Sequence, residues 1–299
     1  MIRVFPRKTN ATPNDSKVYF GGPELWEYDG GDRDVKISCT FIFDKPKTEF
    51  LAKQWDSAGY HVSVGGPAYD DRGGEFVPGR FLKKELVITS RGCNNNCWFC
   101  KVREREGKLR ELEIKDGWDI LDNNLLQCSK NHINRVFDML NRQKRIINGR
   151  RAGVKFTGGL EAFVLQDWHV DLIANLQPKP EILYFAYDTP DDYEPLRRAA
   201  YKMKEIGFNN QRIGCYVLIG WPAGENRPAD TMGKAKKRLQ QVIDLNMMPY
   251  AMLYADQNKN PDPEWTRFQR QYVRPALIRK KHKGQFGRGL TCKAGQGCY

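Results

Sequence analysis

The chain has 299 residues, of which 40% are hydrophobic, enough for one large domain or one domain and a small one. No apolar run approaches the length of a membrane span, and Met1 to Asn10 lacks the apolar stretch of a signal peptide, so the expectation is a cytoplasmic protein with no membrane partner. Lys plus Arg number 49 against 36 Asp plus Glu, a net charge of +13 that favours a polyanion such as nucleic acid as a partner, with plain solubility as the alternative.

The first eighty residues suggest a small α/β region over 1–81. Val35 to Phe41 has the composition of a strand, Thr48 to Ala58 that of a helix, and His61 to Val64 that of a second strand. Val18-Tyr19-Phe20 is strand-like as well, and it and His61–Val64 each run into Gly-Gly-Pro.

From residue 82 to 278 short apolar runs alternate with longer amphipathic stretches, the pattern of βα units and a parallel sheet. Strands are predicted at Leu86–Thr89, Trp118–Leu121, Val154–Thr157, Glu181–Tyr187, Arg212–Ile219 and Pro249–Tyr254. Helices are predicted at His132–Asn148, Tyr193–Ile206 and Asp230–Asn246, and a last one, broken near Pro275, at Trp265–Ile278. Six such units fit a partial (β/α)6 barrel, and a doubly wound sheet fits the same alternation. Residues 279–299 form a basic, Gly-rich tail with Cys292 and Cys298, expected as free thiols; a zinc or auxiliary cluster shared with Cys39 or Cys128 is the alternative.

The first predicted strand of this region runs into Arg91-Gly92-Cys93-Asn94-Asn95-Asn96-Cys97-Trp98-Phe99-Cys100. The spacing Cys-x3-Cys-x2-Cys offers three thiolates to a four-iron cluster and leaves the fourth iron without a protein ligand. Zinc sites recruit two Cys-x2-Cys pairs, or one such pair and a His pair. Only one x2 pair is present here and no histidine lies near it. Three clustered cysteines also suit a reducing compartment better than disulfides.

This segment resembles the cluster loop of the radical S-adenosylmethionine (radical SAM) enzymes, a resemblance carried over residues 82–278 by ordered landmarks and most specifically by the three cysteines. It implies a [4Fe-4S] cluster on Cys93, Cys97 and Cys100, SAM chelated at the open iron, and reductive cleavage of SAM to a 5′-deoxyadenosyl radical that abstracts hydrogen from a substrate. It also implies a partial TIM-like (β/α)6 barrel and a one-electron donor such as flavodoxin or ferredoxin. Phe99 matches the aromatic beside the adenine. Asp122, Asn123 and Asn124 stand where the family holds the amino group of SAM, although they depart from its Gly-Gly-Glu pattern; a helix cap is their plainer role.

Gly158, Gly159 and Glu161 are similar to a Gly-Leu-Asp/Glu-Ala element of an iron–sulfur oxidoreductase-like subgroup. Asp188 ends the fourth strand as a ribose or substrate contact or as a cap. Gly220 closes a fifth strand resembling the one that lines the adenine pocket. Cys215 and Tyr254 are candidates for a radical relay, against ordinary places in the core. The N-terminal region resembles a truncated cobalamin-binding domain, but it lacks the Asp-x-His-x-x-Gly motif, so no cobalamin is expected. The charge keeps two alternatives open: a tRNA- or DNA-modifying enzyme of the same family, and a basic nucleic-acid-binding module with a structural metal.

Overall fold

A computed structural model describes residues 1–23, 33–254 and 262–290. The chain is mixed α/β with parallel strands and divides into two compact units, residues 1–123 and 124–299. Among the described residues no helix is long and apolar enough to cross a membrane.

The first unit begins with β1 (Ile2–Val4), β2 (Val18–Tyr19), β3 (Asp34–Ser38), α1 (Lys45–Ser57) and β4 (His61–Gly65). The four strands are parallel in the order β2-β1-β3-β4. The period-2 pattern of β3 turns Val35 and Ile37 into the core beside Val4, where α1 covers them with Leu51 and Trp55. Trp55 anchors this layer: it is 1% exposed, its indole N–H donates to the Gly21 carbonyl at 3.0 Å, and Tyr19 and Tyr60 pack edge-on against it.

The same unit continues through β5 (Leu86–Val87), β6 (Ser90–Arg91), α2 (Val102–Glu106), β7 (Arg110–Glu111) and β8 (Asp119–Ile120). Strands β5 and β8 pair in parallel, and β6 pairs with β7 antiparallel. The expected boundary at residues 81 and 82 therefore falls inside a compact unit. The reason is a set of backbone ties: the Arg3 guanidinium donates to the Gly79 carbonyl at 2.6 Å, the Lys83 N–H to the Ala11 carbonyl, and Arg110 to the Gly73 carbonyl.

The second unit contains α3 (Lys130–Arg142), β9 (Ile146–Ile147), β10 (Arg150–Arg151), β11 (Lys155–Leu160), α4 (Asp167–Asn175), β12 (Ile182–Tyr187), α5 (Tyr193–Glu205), β13 (Ile213–Ile219), α6 (Met232–Asp244), β14 (Met248–Leu253), α7 (Pro263–Arg270) and α8 (Pro275–Lys281). Strands β11 to β14 lie side by side in chain order, all parallel. Leu183, Phe185, Cys215 and Val217 share one face, on which the Phe156 ring stacks with Phe137 of α3 at 5.6 Å. The opposite face carries Tyr184, Tyr216 and Tyr250.

Two further expectations need correction. The helix predicted over His132–Asn148 ends at Arg142, and residues 146–151 form a hairpin closed by Asn148-Gly149, both at positive φ. A two-residue Asn-Gly turn suits a type I′ hairpin, and Ile146, counted among the apolar residues of the helix, is 62% exposed. The start of the basic tail at residue 279 lies within α8, and the tail's Cys292 and Cys298 lie outside the described residues. Helix α4 was not foreseen.

Because Trp55 fills the centre of the first core, Trp55→Ala should lower the unfolding free energy by about 3–5 kcal/mol in urea denaturation, whereas exposed Phe50→Ala on the same helix should change it little.

Candidate functional site

The cysteine loop leaves the end of β5 and is closed at its base by the β6–β7 pair, with Ser90 opposite Glu111 and Arg91 opposite Arg110. At its mouth Gly92 has φ +78°, and a Cβ there would stand 2.3 Å from the Lys108 carbonyl oxygen. Only glycine permits that approach. The next residue is tied to the far side of the loop: the Cys93 N–H donates to the Gly107 carbonyl at 3.2 Å, and the Arg103 guanidinium to the Cys93 carbonyl at 3.2 Å. The Cys100 N–H donates to the Cys97 carbonyl at 3.0 Å, so the last two cysteines sit on one turn. The Asn95 N–H donates to the Cys93 sulfur at 3.4 Å.

Cys93, Cys97 and Cys100 are half-buried. Trp98 is exposed, and the half-buried Phe99 ring meets it edge-on at 5.1 Å. Among the described residues no group of three or more His, Cys, Asp or Glu side chains is set to hold one metal ion. The donor set itself fits an iron–sulfur cluster: three soft thiols, a glycine at the loop mouth and a backbone N–H aimed at sulfur. Ligation would draw the loop together.

Two carboxylates hold the shoulders of this loop. Glu106, at the end of α2, is 4% exposed. Its Oε2 accepts from the Gly92 N–H at 3.2 Å and from the Asn123 amide at 2.7 Å, and its Oε1 accepts from Arg105 at 2.8 Å. Asp122 is 1% exposed and accepts from the Thr89 N–H at 2.6 Å, the Thr89 hydroxyl at 2.5 Å and the Ser90 hydroxyl at 2.8 Å. Burial pushes its carboxyl up from the ordinary range, and the bonds from Thr89 and Ser90 pull the other way. Asp122 and Asn123, expected as ligand contacts, are thus engaged in bracing the loop. Glu106 was missed; it lies in a stretch of mixed charge, Lys101 to Arg110, which resembles a solvated helix.

In the second unit the polar residues expected after the strands lie at the C-terminal ends of parallel strands, where α/β folds place their ligands. Glu161 follows β11, and its Oε2 accepts from the Asn124 amide at 2.6 Å and the Gln127 amide at 2.8 Å. Gly158 and Gly159 belong to β11 itself, at an irregularity between Phe156 and Leu160. On the tyrosine face the Tyr216 hydroxyl donates to the Thr157 carbonyl at 2.9 Å. The Tyr184 and Tyr216 rings stack at 4.5 Å, and Tyr250 meets Tyr216 edge-on. Tyr184 covers Gly214, where a Cβ would sit 2.1 Å from the ring.

Cys215 points to the other face. It is fully buried beside Phe185, and burial pushes its thiol well up. Its place is that of a small core residue and not of a group lining the tyrosine face. Tyr254 lies one residue past β14, where its N–H donates to the Ile219 carbonyl at 2.9 Å.

Gly220 follows β13 and donates its N–H to Asp230 at 2.9 Å. Asp230 is paired with Arg238 through two bonds of 2.8 and 3.2 Å, both groups being buried; Arg238 also donates to the Leu218 carbonyl at 2.9 Å and lies over the Trp221 ring. The sequence signal for Arg238 is its position in the apolar stripe of α6, with Ala235, Leu239 and Val242.

Asp188 directly follows β12, close to Asp192, whose carboxylate accepts from the N–H groups of Asp188 and Thr189. Burial, with help from the Asp192 charge, pushes the Asp188 carboxyl up to about 7. A group of this kind can hold or release a proton near neutrality.

No protein-family model matches this chain, and no curated protein matches it.

Two outcomes follow from these contacts. Glu106→Ala strips the partner from the Gly92 N–H and the Asn123 amide and should cost about 1–3 kcal/mol, with faster hydrogen exchange at the Gly92 amide. For Asp188 the folded pKa stands above its ordinary 3.8. Its contribution to stability is therefore fully present below about 4 and is lost as pH rises through about 7. The urea midpoint of Asp188→Asn should gain on that of the wild type between about pH 5 and pH 8; a constant difference would mean that Asp188 titrates as an ordinary carboxylate.

Proposed function

We propose that this chain is a radical SAM enzyme. The observation that carries the reading is the Cys-x3-Cys-x2-Cys loop leaving the end of a parallel strand, with its mouth fixed by Gly92 and a buried Glu106. The alternation of parallel strands and helices along the chain supports the partial (β/α)6 barrel that the resemblance implies.

Cys93, Cys97 and Cys100 would hold a [4Fe-4S] cluster through three thiolates, leaving one iron without a protein ligand and open to SAM. When bound, the cluster and SAM supply the reducing electron and the 5′-deoxyadenosyl group from which the hydrogen-abstracting radical comes. The Asn95 N–H, already directed at the Cys93 sulfur, withdraws charge from that ligand and favours the reduced state. Phe99 and Trp98 shield the loop from water. Glu106, Asp122 and Asn123 act as positioning residues that hold the loop open to a cofactor. In the second unit Glu161 offers an acceptor at a strand end, and Asp188 is a proton carrier matched to neutral pH. The electron comes from a one-electron donor of the flavodoxin or ferredoxin kind.

The test is anaerobic reconstitution with iron and sulfide, followed by SAM and dithionite, with 5′-deoxyadenosine read by mass spectrometry. Wild-type protein should form deoxyadenosine and Cys97→Ala should not. A preparation with a full four-iron cluster that neither binds SAM nor forms deoxyadenosine would refute the reading and leave a structural or electron-transfer cluster.

A further inference from the structure

Because β11 to β14 run the same way, all their N-terminal ends lie along one edge of the sheet in the second unit. The chain places different charges at its two ends. Glu161, Asp188, Asp192 and Asp230 follow strand C-termini. The N-terminal edge is basic and its segments are joined by contacts. Arg145 donates to the Gly153 carbonyl at 2.8 Å and pairs with Glu181 at 2.8 Å, and Lys155 reaches the same carboxylate at 3.6 Å. One acid thus answers two bases. Arg212 donates to the Pro180 carbonyl at 2.6 Å and to the Lys179 carbonyl at 3.2 Å, which joins the β11–β12 edge to the start of β13. Arg279 of α8 donates to the Asn210 carbonyl at 3.3 Å, so exposed Lys280 and Lys283 extend the same edge.

The β9–β10 hairpin stands at this edge. Ile147 pairs with Arg150 and Ile146 with Arg151, and all four side chains are exposed, as are Arg142 and Lys144 just before them. Isoleucines at 62% and 43% exposure are a cost in water that contact with a partner removes. Arginine forks match phosphate oxygens, and a two-stranded ribbon has the cross-section of the major groove of B-form DNA. The hairpin carries no aromatic side chain on which unpaired bases would stack, which argues against a single strand.

We propose that this basic edge docks double-stranded DNA through its phosphates, with the Ile146–Arg151 hairpin as the inserting tip. The inference is independent of the cluster reading: the docking edge is at the opposite end of the strands from Glu161 and Asp188, and it needs none of the cysteines.

Fluorescence anisotropy with a labelled duplex of about 20 base pairs tests it, over about 50 to 200 mM salt. The comparison uses the full chain, the double variant Arg150→Glu/Arg151→Glu, and the double variant Lys236→Glu/Lys237→Glu on the exposed side of α6, which changes the net charge equally. The hairpin variant should bind about tenfold or more weakly with a shallower salt slope, and the α6 variant should stay within about twofold of wild type. Equal losses in both variants would reduce the effect to bulk charge and overturn the proposal. So would no binding at low salt, tighter binding to a single strand of the same length, or preferential binding to vesicles of anionic lipid. Cys97→Ala should bind the duplex as the wild type does, which keeps this outcome separate from that of the deoxyadenosine assay.

Discussion

A single buried carboxylate, Glu106, sets the mouth of the cysteine loop. It sits at the end of a helix of five residues, too short to be stable alone, and is nearly sealed from water. Such a charge persists only with partners, and its partners are the Gly92 N–H, Arg105 and the Asn123 amide. Gly92 is thereby pinned where no other residue fits, and Cys93 starts from a fixed point. Asp122 does the same for Thr89 and Ser90 on the other shoulder. Beyond Gly92 the loop is tied across its base by the Cys93 N–H and carbonyl, bonded to Gly107 and Arg103, and turns back at Cys97 and Cys100. That leaves the three thiols latitude to gather around a cofactor that brings its own geometry.

The second unit solves a related problem with a buried pair. Arg238 lies in the apolar stripe of α6 and is tolerable there because Asp230, the Leu218 carbonyl and the Trp221 ring surround it. The loop after β13 is thereby fastened to the helix that follows it, so the strand end keeps its shape. Rigid supports beneath mobile or reactive edges are what a parallel sheet offers to chemistry.

Much of this organisation was legible in the sequence. The βα alternation placed β12 to β14 within a residue, since each strand is a short apolar run between polar loops, and it found β11 but stopped it three residues early, before the glycines at its end. The cysteine spacing singled out the loop. The failures have specific causes. The helix expected to Asn148 stops at Arg142: Ile146 keeps the helical period by coincidence, while Asn148-Gly149 turns the chain into a hairpin. Glu106 and Arg238 were not singled out, because the burial of a paired ion depends on how the fold brings its partners together and not on residue type. Asp122 and Asn123 were located as important, but their work is to accept and donate within the loop, which spacing alone does not distinguish from work on a ligand. Cys215 illustrates the alternation rule: one residue separates a core thiol from a tyrosine on the open face.

The ring of Tyr184 lying on Gly214 has a consequence for how the sheet finds its alignment. Hydrophobic alternation rejects a slip of one residue between β12 and β13, because every side chain would change faces. It is blind to a slip of two, which keeps apolar groups inside. Such a slip would bring Arg212 or Tyr216 under the Tyr184 ring in place of Gly214, where even a single methyl group is too large. The missing side chain at Gly214 thus works as a notch, and the ring as the key that drops into it at one setting only.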